Sequence, residues 1–321
     1  MKVKNRWQSA PAIDKLPQFR PNQSVIGLRG VDKVTGDLMA DSTQPGFMPA
    51  KLHASIHMAA ARAFLAALPI VAALALSAPA AAAKTSLYVK YGISVAGFPV
   101  ASARLNFALN GKGYTATGSA KTTGIVRLFS DGHGKVSVTG KLKGARPVPA
   151  AYAYDVTDDE GRETLKMAFS GNRVGKVRLN PPEHPEKLKR RVPLKRSHKV
   201  GVLDPLSALF IPAKADKVCD RTLPIFDGGQ RFDLVLTRKR TDQFRGGKKN
   251  FKGRIFVCAV SYRPIAGHRA DKKEIKYMQR NSGMELWMAP VGDTGVMAPV
   301  SARLNTKIGP VVVRARQFQL Q

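Results

Sequence analysis

The chain has 321 residues, enough for one or two domains. Lysine and arginine number 53 against 22 acidic residues, for a net charge of +31, and 44 of the basic and 18 of the acidic residues lie from Lys84 onward. The charge therefore belongs to the body of the chain, which excludes a removable basic tail, and it favours polyanionic partners: nucleic acid, anionic lipid head groups or acidic glycans.

An apolar segment near the N-terminus has the order of a bacterial secretory signal peptide. Met58 and Arg62 form a short basic start, residues 64–76 are apolar, and residues 81–83 are three alanines. This order predicts a cleavable signal peptide over residues 58–83. An uncleaved membrane anchor is the alternative, but the segment is short and rich in alanine.

The 57 residues before this segment show no sustained helical or strand periodicity. We expect residues 1–57 to be unstructured and to be an over-extended start, with Met58 as the true first residue. Residues 84–321 would then form an exported, periplasmic domain with no membrane span in the mature chain.

Alternation of apolar and polar residues dominates from Lys84 onward and predicts about a dozen short strands. Turn signals such as Asn110-Gly111 separate them. We expect a mainly β fold: a single antiparallel, strongly curved sheet or half-barrel with one or two short helices, loosely like lipoprotein-carrier folds. The predicted strands are 86–95, 100–109, 114–122, 135–142, 151–156, 163–169, 172–179, 222–226, 231–236, 254–262, 284–288, 298–305 and 311–320.

Three segments interrupt this alternation. Residues 180–200 contain four prolines and many basic residues and predict a long loop, residues 238–249 predict a charged turn, and residues 264–273 predict another loop. Residues 274–280 are the one further helical candidate, although a strand is the alternative there.

The stretch 201–236 contains two local structural signals. Asp204 followed by Pro205 is typical of a helix N-cap and first helical position. Asp227 and Gly228 open a tight turn between two strands. We interpret these four residues as structural; the alternative is that Asp204, Asp227 or Asp233 lines a site.

Three motifs resemble one protein family. They are VLDPLSAL (202–209), CDRTLPIFDGGQRFDL (219–234) and FVCAVSYRPIAG (256–267). Together they resemble the domain of unknown function 3108 family of bacterial exported proteins, from about Leu87 to about Gln319. The resemblance implies export and a β architecture. It implies no activity and carries over no catalytic residues.

Cys219 and Cys258 are the only cysteines. An even pair in an exported protein predicts a disulfide. Free thiols or a metal site are the alternatives, but none of the four histidines after Lys84 stands at ligand spacing from either cysteine. We predict no metal site and no cofactor.

The segment 187–199 is strongly basic and reads KLKRRVPLKRSHK. It is either a solvated loop or a contact with lipid head groups or acidic glycan of the envelope. Nucleic acid is excluded as a partner by the expected export and by the lack of interleaved aromatic residues that stack on bases. The candidate contact residues are Lys187, Lys189, Arg190, Arg191, Lys195 and Arg196.

The sequence lacks a nucleophile elbow, a zinc-protease motif, a Walker loop and a dinucleotide fingerprint. We expect a non-enzymatic binding or envelope-maintenance protein for a hydrophobic, amphipathic or anionic component; the alternatives are an envelope hydrolase or transferase and a purely structural protein. One set of apolar residues either forms the core or lines a cavity for an acyl chain: Phe107, Leu109, Met167, Phe169, Phe232, Leu234 and Trp287.

Overall fold

A computed structural model describes residues 84–124, 127 and 131–321, which contain fourteen strands and two α-helices. The predicted unstructured segment 1–57 and signal peptide 58–83 lie outside the described residues. The strands are β1 Lys84–Val95, β2 Phe98–Asn110, β3 Gly113–Thr122, β4 His133–Lys143, β5 Arg146–Asp158, β6 Gly161–Ser170, β7 Arg173–Asn180, β8 Ile211–Pro212, β9 Arg221–Phe226, β10 Arg231–Arg245, β11 Lys252–Ala266, β12 Glu285–Pro290, β13 Val296–Thr306 and β14 Gly309–Leu320. The helices are α1 Pro185–Lys189 and α2 Lys273–Arg280, and 3₁₀ turns cover Arg196–Lys199, Ser207–Leu209 and Ala215–Lys217.

All strands belong to one antiparallel sheet whose first and last strands, β1 and β14, pair at its centre. From β1 the chain meanders outward strand by strand to the edge β7, and from β14 the order runs back through β13 to the other edge, β9. The two-residue strand β8 pairs with β13 beside this path. The predicted single antiparallel sheet is confirmed.

The two edges of the sheet are bridged by a short segment, residues 200–203, which we name the strap. Val200 pairs with Arg173 in β7, and Leu203 pairs with Ile225 in β9. Thirteen strands laid flat would separate the edges by roughly 60 Å. Four residues span at most about 14 Å. The sheet therefore curls until the strap bridges its edges, although β7 and β9 do not pair with each other.

The inner face of the curled sheet holds the main hydrophobic core. The two residues Leu206 and Phe210, which follow the strap, enter this core and are almost fully buried. Phe210 stacks on Phe107 of β2 with 4.0 Å between ring centroids. The interior is thus occupied by the chain's own side chains. Strand residues of this core include Leu87, Leu105, Tyr114, Val136, Tyr152, Leu165, Val174, Phe244, Ile255, Val300 and Ala315.

A second apolar cluster covers the opposite face of β9 to β12 and reaches Met297 of β13. Residues from the segment after the strap, including Ile211 and Val218, pack there against Phe256 and Met288. The predicted disulfide is confirmed: Cys219 and Cys258 are bonded and buried, with 5.1 Å between their Cα atoms. The disulfide ties the segment after the strap to β11.

The apolar residues for which the sequence allows either a core or a cavity role belong to the two clusters. Phe107, Leu109 and Met167 are buried in the main core. Phe169 and Trp287 pack against it, and Phe232 and Leu234 pack against the second cluster.

The predicted charged turn over residues 238–249 is wrong. Strand β10 continues to Arg245 and pairs with β11 as far as Lys252, with a bulge between Arg238 and Arg240. Charged residues occupy both faces of this part of the hairpin, so no apolar alternation marks the strand. The predicted loop 264–273 also starts too early, because β11 runs to Ala266. Among the described residues no helix has the length and apolar character needed to cross a membrane.

Candidate anion-binding surface

The segment of residues 181–200, which we name the basic loop, leaves β7 at Asn180 and returns to it at Val200. It contains α1 and one 3₁₀ turn, so the predicted long loop is only partly irregular. Its middle is tied to the end of β11: Val192 N–H donates to His268 O and Gly267 N–H donates to Val192 O, each at 2.8 Å. The loop is therefore a fixed surface feature beside an edge strand.

Arg191 anchors this loop. Its Nη2 lies 2.5 Å from Glu183 Oε1, and its Nη1 donates to Gly267 O at 2.6 Å. Both charged side chains are largely buried, at 13% and 11% exposure. The basic run predicts that Arg191 contacts an anionic surface, but its guanidinium forms a buried ion pair with Glu183. The signal missed in the sequence is Glu183, eight residues earlier, which supplies the countercharge.

The other predicted cations of the loop are exposed. Among the described residues Lys187, Lys195 and Arg196 form no ion pair within 4 Å. Lys189 pairs with Glu186 at 2.7 Å and Arg190 with Asp271 at 3.1 Å, and all four of those side chains are more than half exposed. Exposed pairs contribute little free energy. All five cations can therefore turn to an external anion.

Two leucines lie exposed among these cations. Leu188 in α1 is 51% exposed and Leu194 is 38% exposed. Sequence reasoning did not single them out, although each interrupts the basic run outside any strand pattern. Cations around exposed leucines are typical of surfaces that lie in a membrane interface.

Asp204 and Pro205 build the turn that enters the core. Asp204 Oδ1 accepts the backbone N–H of Leu206 and of Ser207, each at 2.9 Å, and the helix that it starts is only the 3₁₀ turn Ser207–Leu209. Ser207 Oγ lies 2.7 Å from Tyr114 Oη. Asp204 is fully buried, and its Oδ2 has no hydrogen-bond partner in the part of the chain that the structure describes. Burial raises the pKa of its carboxyl from 3.8 to about 6.

Asp227 and Gly228 build the tight turn between β9 and β10. Asp227 Oδ1 accepts the backbone N–H of Gly229 at 2.9 Å and of Gln230 at 2.7 Å. Gly228 has a φ of +110°, and a Cβ there would lie 2.6 Å from a methyl of Leu165. The turn thus packs closely against β6, and only glycine fits. Further along β10, the Asp233 carboxylate lies 2.7 Å from the Arg231 guanidinium.

Comparison with known proteins shows a family. No curated protein matches the chain. Among solved structures, a beta-barrel-like protein of domain of unknown function DUF1849 from Brucella abortus is similar, with a TM-score of 0.41 and 8% sequence identity over 74% of this chain and 98% of that chain. The family described as "Protein of unknown function (DUF3108)" matches residues 89–316, nearly all of the curled sheet. The chain therefore belongs to the DUF3108 family.

Proposed function

We propose that the chain is an exported, periplasmic, non-enzymatic binding or envelope-maintenance protein that contacts anionic phospholipid head groups through its basic loop. The observation that carries the proposal is the exposure of Leu188 and Leu194 among cations on a loop that is firmly anchored.

The energetics favour a lipid surface over an acidic glycan. A leucine that becomes fully buried gains roughly 1.5–3 kcal/mol, and this gain requires an apolar phase. Each cation near an anionic bilayer contributes about 1 kcal/mol to the free energy of binding. A glycan offers charges to Lys187, Lys195 and Arg196 but no apolar phase for the two leucines.

The filled interior supports a surface contact and not a carrier that encloses its ligand. Leu206 and Phe210 occupy the inner side of the curled sheet, where a carrier would hold an acyl chain. We therefore place the contact on the outside of the domain.

Export is supported by the signal-peptide pattern over residues 58–83 and by the disulfide. A disulfide such as Cys219–Cys258 persists in an oxidising compartment, such as the bacterial periplasm. Anionic phospholipid surfaces border that compartment.

Vesicle flotation with phosphatidylglycerol and phosphatidylethanolamine tests the proposal. The variant Lys187→Ser/Lys195→Ser/Arg196→Ser should bind these vesicles roughly 100-fold more weakly, because three cations are lost. A matched control, Lys90→Ser/Lys112→Ser/Lys143→Ser, removes the same charge from exposed residues elsewhere. This control should lose much less affinity for the vesicles.

Leu188→Ser/Leu194→Ser separates lipid from glycan. This variant keeps every cation, and we expect it to lose roughly tenfold or more in vesicle binding. Equal losses in the control and in the loop-charge variant would contradict a localised contact. Undiminished vesicle binding by the leucine variant would contradict the lipid assignment and favour a purely charged partner such as acidic glycan.

A further inference from the structure

A second basic feature lies on the outer face of β4 to β7. It is a hollow with a volume of about 350 Å³, which we name the outer hollow. Its outward-facing lining has two parts, small side chains and three cations. The small residues are Ser137, Thr139, Ala151, Ala153 and Ala168, and the cations are Lys166, Lys176 and Arg178.

The strand register brings the cations together. Ala153 of β5 lies opposite Lys166 of β6, and Lys166 lies opposite Arg178 of β7. Lys176 lies two residues from Arg178 and faces the same side of the strand. Like charges directly opposite each other on neighbouring strands destabilise a sheet. The arrangement therefore leaves an uncompensated positive charge that an external anion would neutralise.

The next two cross-strand rows on the same face, Asp155 opposite Thr164 and Thr157 opposite Arg162, show what compensation looks like. There Arg162 donates to both carboxylate oxygens of Asp155, at 2.9 and 2.7 Å. By contrast, over the described ranges Lys166, Lys176 and Arg178 have no carboxylate within 4 Å. The chain neutralises Arg162 internally and leaves the three cations at the hollow open to an external anion.

The small residues give the hollow its second property. The alanines at 151, 153 and 168 place methyl groups beside the cations, where larger side chains would fill the space. Ser137 and Thr139 add two hydroxyl groups on the side of the hollow away from β7. The lining thus combines three positive charges with an apolar floor. An amphipathic anion matches both parts.

We propose that the outer hollow binds a phosphate monoester that carries an apolar group. Arg178 offers a planar pair of donors that suits a phosphate, and Lys166 and Lys176 add point charges. A phosphate monoester carries a charge of about −1.5 to −2 at pH 7. A carboxylate carries only one negative charge, so a phosphate monoester matches the three cations better. The alanine methyl groups contact the apolar group. This site shares no residue with the basic loop, so it does not depend on the lipid contact proposed above.

Calorimetric titration of the purified protein with octyl phosphate, inorganic phosphate and octyl glucoside tests the site. Each amphiphile is used below its critical micelle concentration. We expect octyl phosphate to bind with one-to-one stoichiometry and at least about tenfold more tightly than inorganic phosphate, since only it contacts the apolar floor. Octyl glucoside should not bind, because it has no charge.

Variants locate the site. Lys166→Gln/Lys176→Gln/Arg178→Gln should weaken octyl phosphate binding about tenfold or more. The control variant Lys90→Gln/Lys112→Gln/Lys143→Gln removes the same charge elsewhere and should bind octyl phosphate like the wild type. Ala151→Leu/Ala168→Leu keeps the cations but fills the hollow, and should weaken octyl phosphate binding while sparing that of inorganic phosphate.

The outcomes separate the two possible sources of the anion. Equal affinity for inorganic and octyl phosphate would overturn the amphipathic assignment and indicate free phosphate. Equal losses in the two charge variants, or tight binding of octyl glucoside, would overturn the site itself. Leu188→Ser/Leu194→Ser should bind octyl phosphate like the wild type, so failure of the vesicle contact and failure of this site are distinguishable.

Discussion

Replacing both cysteines by alanine, Cys219→Ala/Cys258→Ala, is expected to lower the free energy of unfolding by about 4 kcal/mol. The disulfide closes a loop with a sequence separation of 39, which contains β9, β10 and part of β11. Without it the unfolded chain gains conformational freedom, and the segment after the strap keeps its apolar contacts with β11 but loses its covalent link to that strand. Urea unfolding followed by circular dichroism measures the change.

A reducing agent provides the control for the disulfide. In the presence of the reducing agent, the unfolding free energies of the wild type and the double variant should differ only by the small cost of the lost sulfur contacts. Without the reducing agent, they should differ by about 4 kcal/mol. Equal unfolding free energies under oxidising conditions would show that the crosslink does not stabilise the fold.

The Asp204 carboxyl is expected to make the protein less stable as the pH rises from 4 to 7, by about 2 kcal/mol. Its pKa is raised by burial from 3.8 to about 6 in the folded state. The folded protein therefore holds this proton more tightly than the unfolded chain does. The stabilisation is fully present below about pH 4 and is lost as the pH rises through about 6.

Asp204→Asn isolates this effect, because asparagine retains an oxygen to accept the N–H groups of Leu206 and Ser207 but does not titrate. Other titrating groups cancel in the difference between the wild type and the variant. That difference in unfolding free energy should move by about 2 kcal/mol in favour of the variant between pH 4 and pH 7. A difference that is constant with pH, or that moves in the wild type's favour, would contradict a pKa raised by burial of this carboxyl.

Local sequence signals predicted most of the fold, because the residues that carry them act on near neighbours. Alternation located strands such as β2 and β13, and Asp227 before two glycines located the β9–β10 turn. The distal part of β10 was missed because its charged residues lie on both faces and its partner β11 fixes it by backbone hydrogen bonds.

The candidate sites depend on contacts between distant residues and were harder to predict. The basic run identified Lys187 and Lys195, but the burial of Arg191 depends on Glu183 and on the carbonyl of Gly267. The outer hollow depends on the register of four strands, which sets Lys166 opposite Arg178. Turn geometry and bulges set that register, and composition does not reveal it.

Tryptophan fluorescence shows directly whether the basic loop enters an anionic membrane interface. Leu188→Trp places a reporter in the loop, and Leu320→Trp places one at a leucine with 52% exposure at the end of β14. With phosphatidylglycerol vesicles, we expect a blue shift of emission for the Leu188 variant beyond that of the wild type, and none for the Leu320 variant. No added shift at position 188, or an equal shift at both positions, would contradict the account.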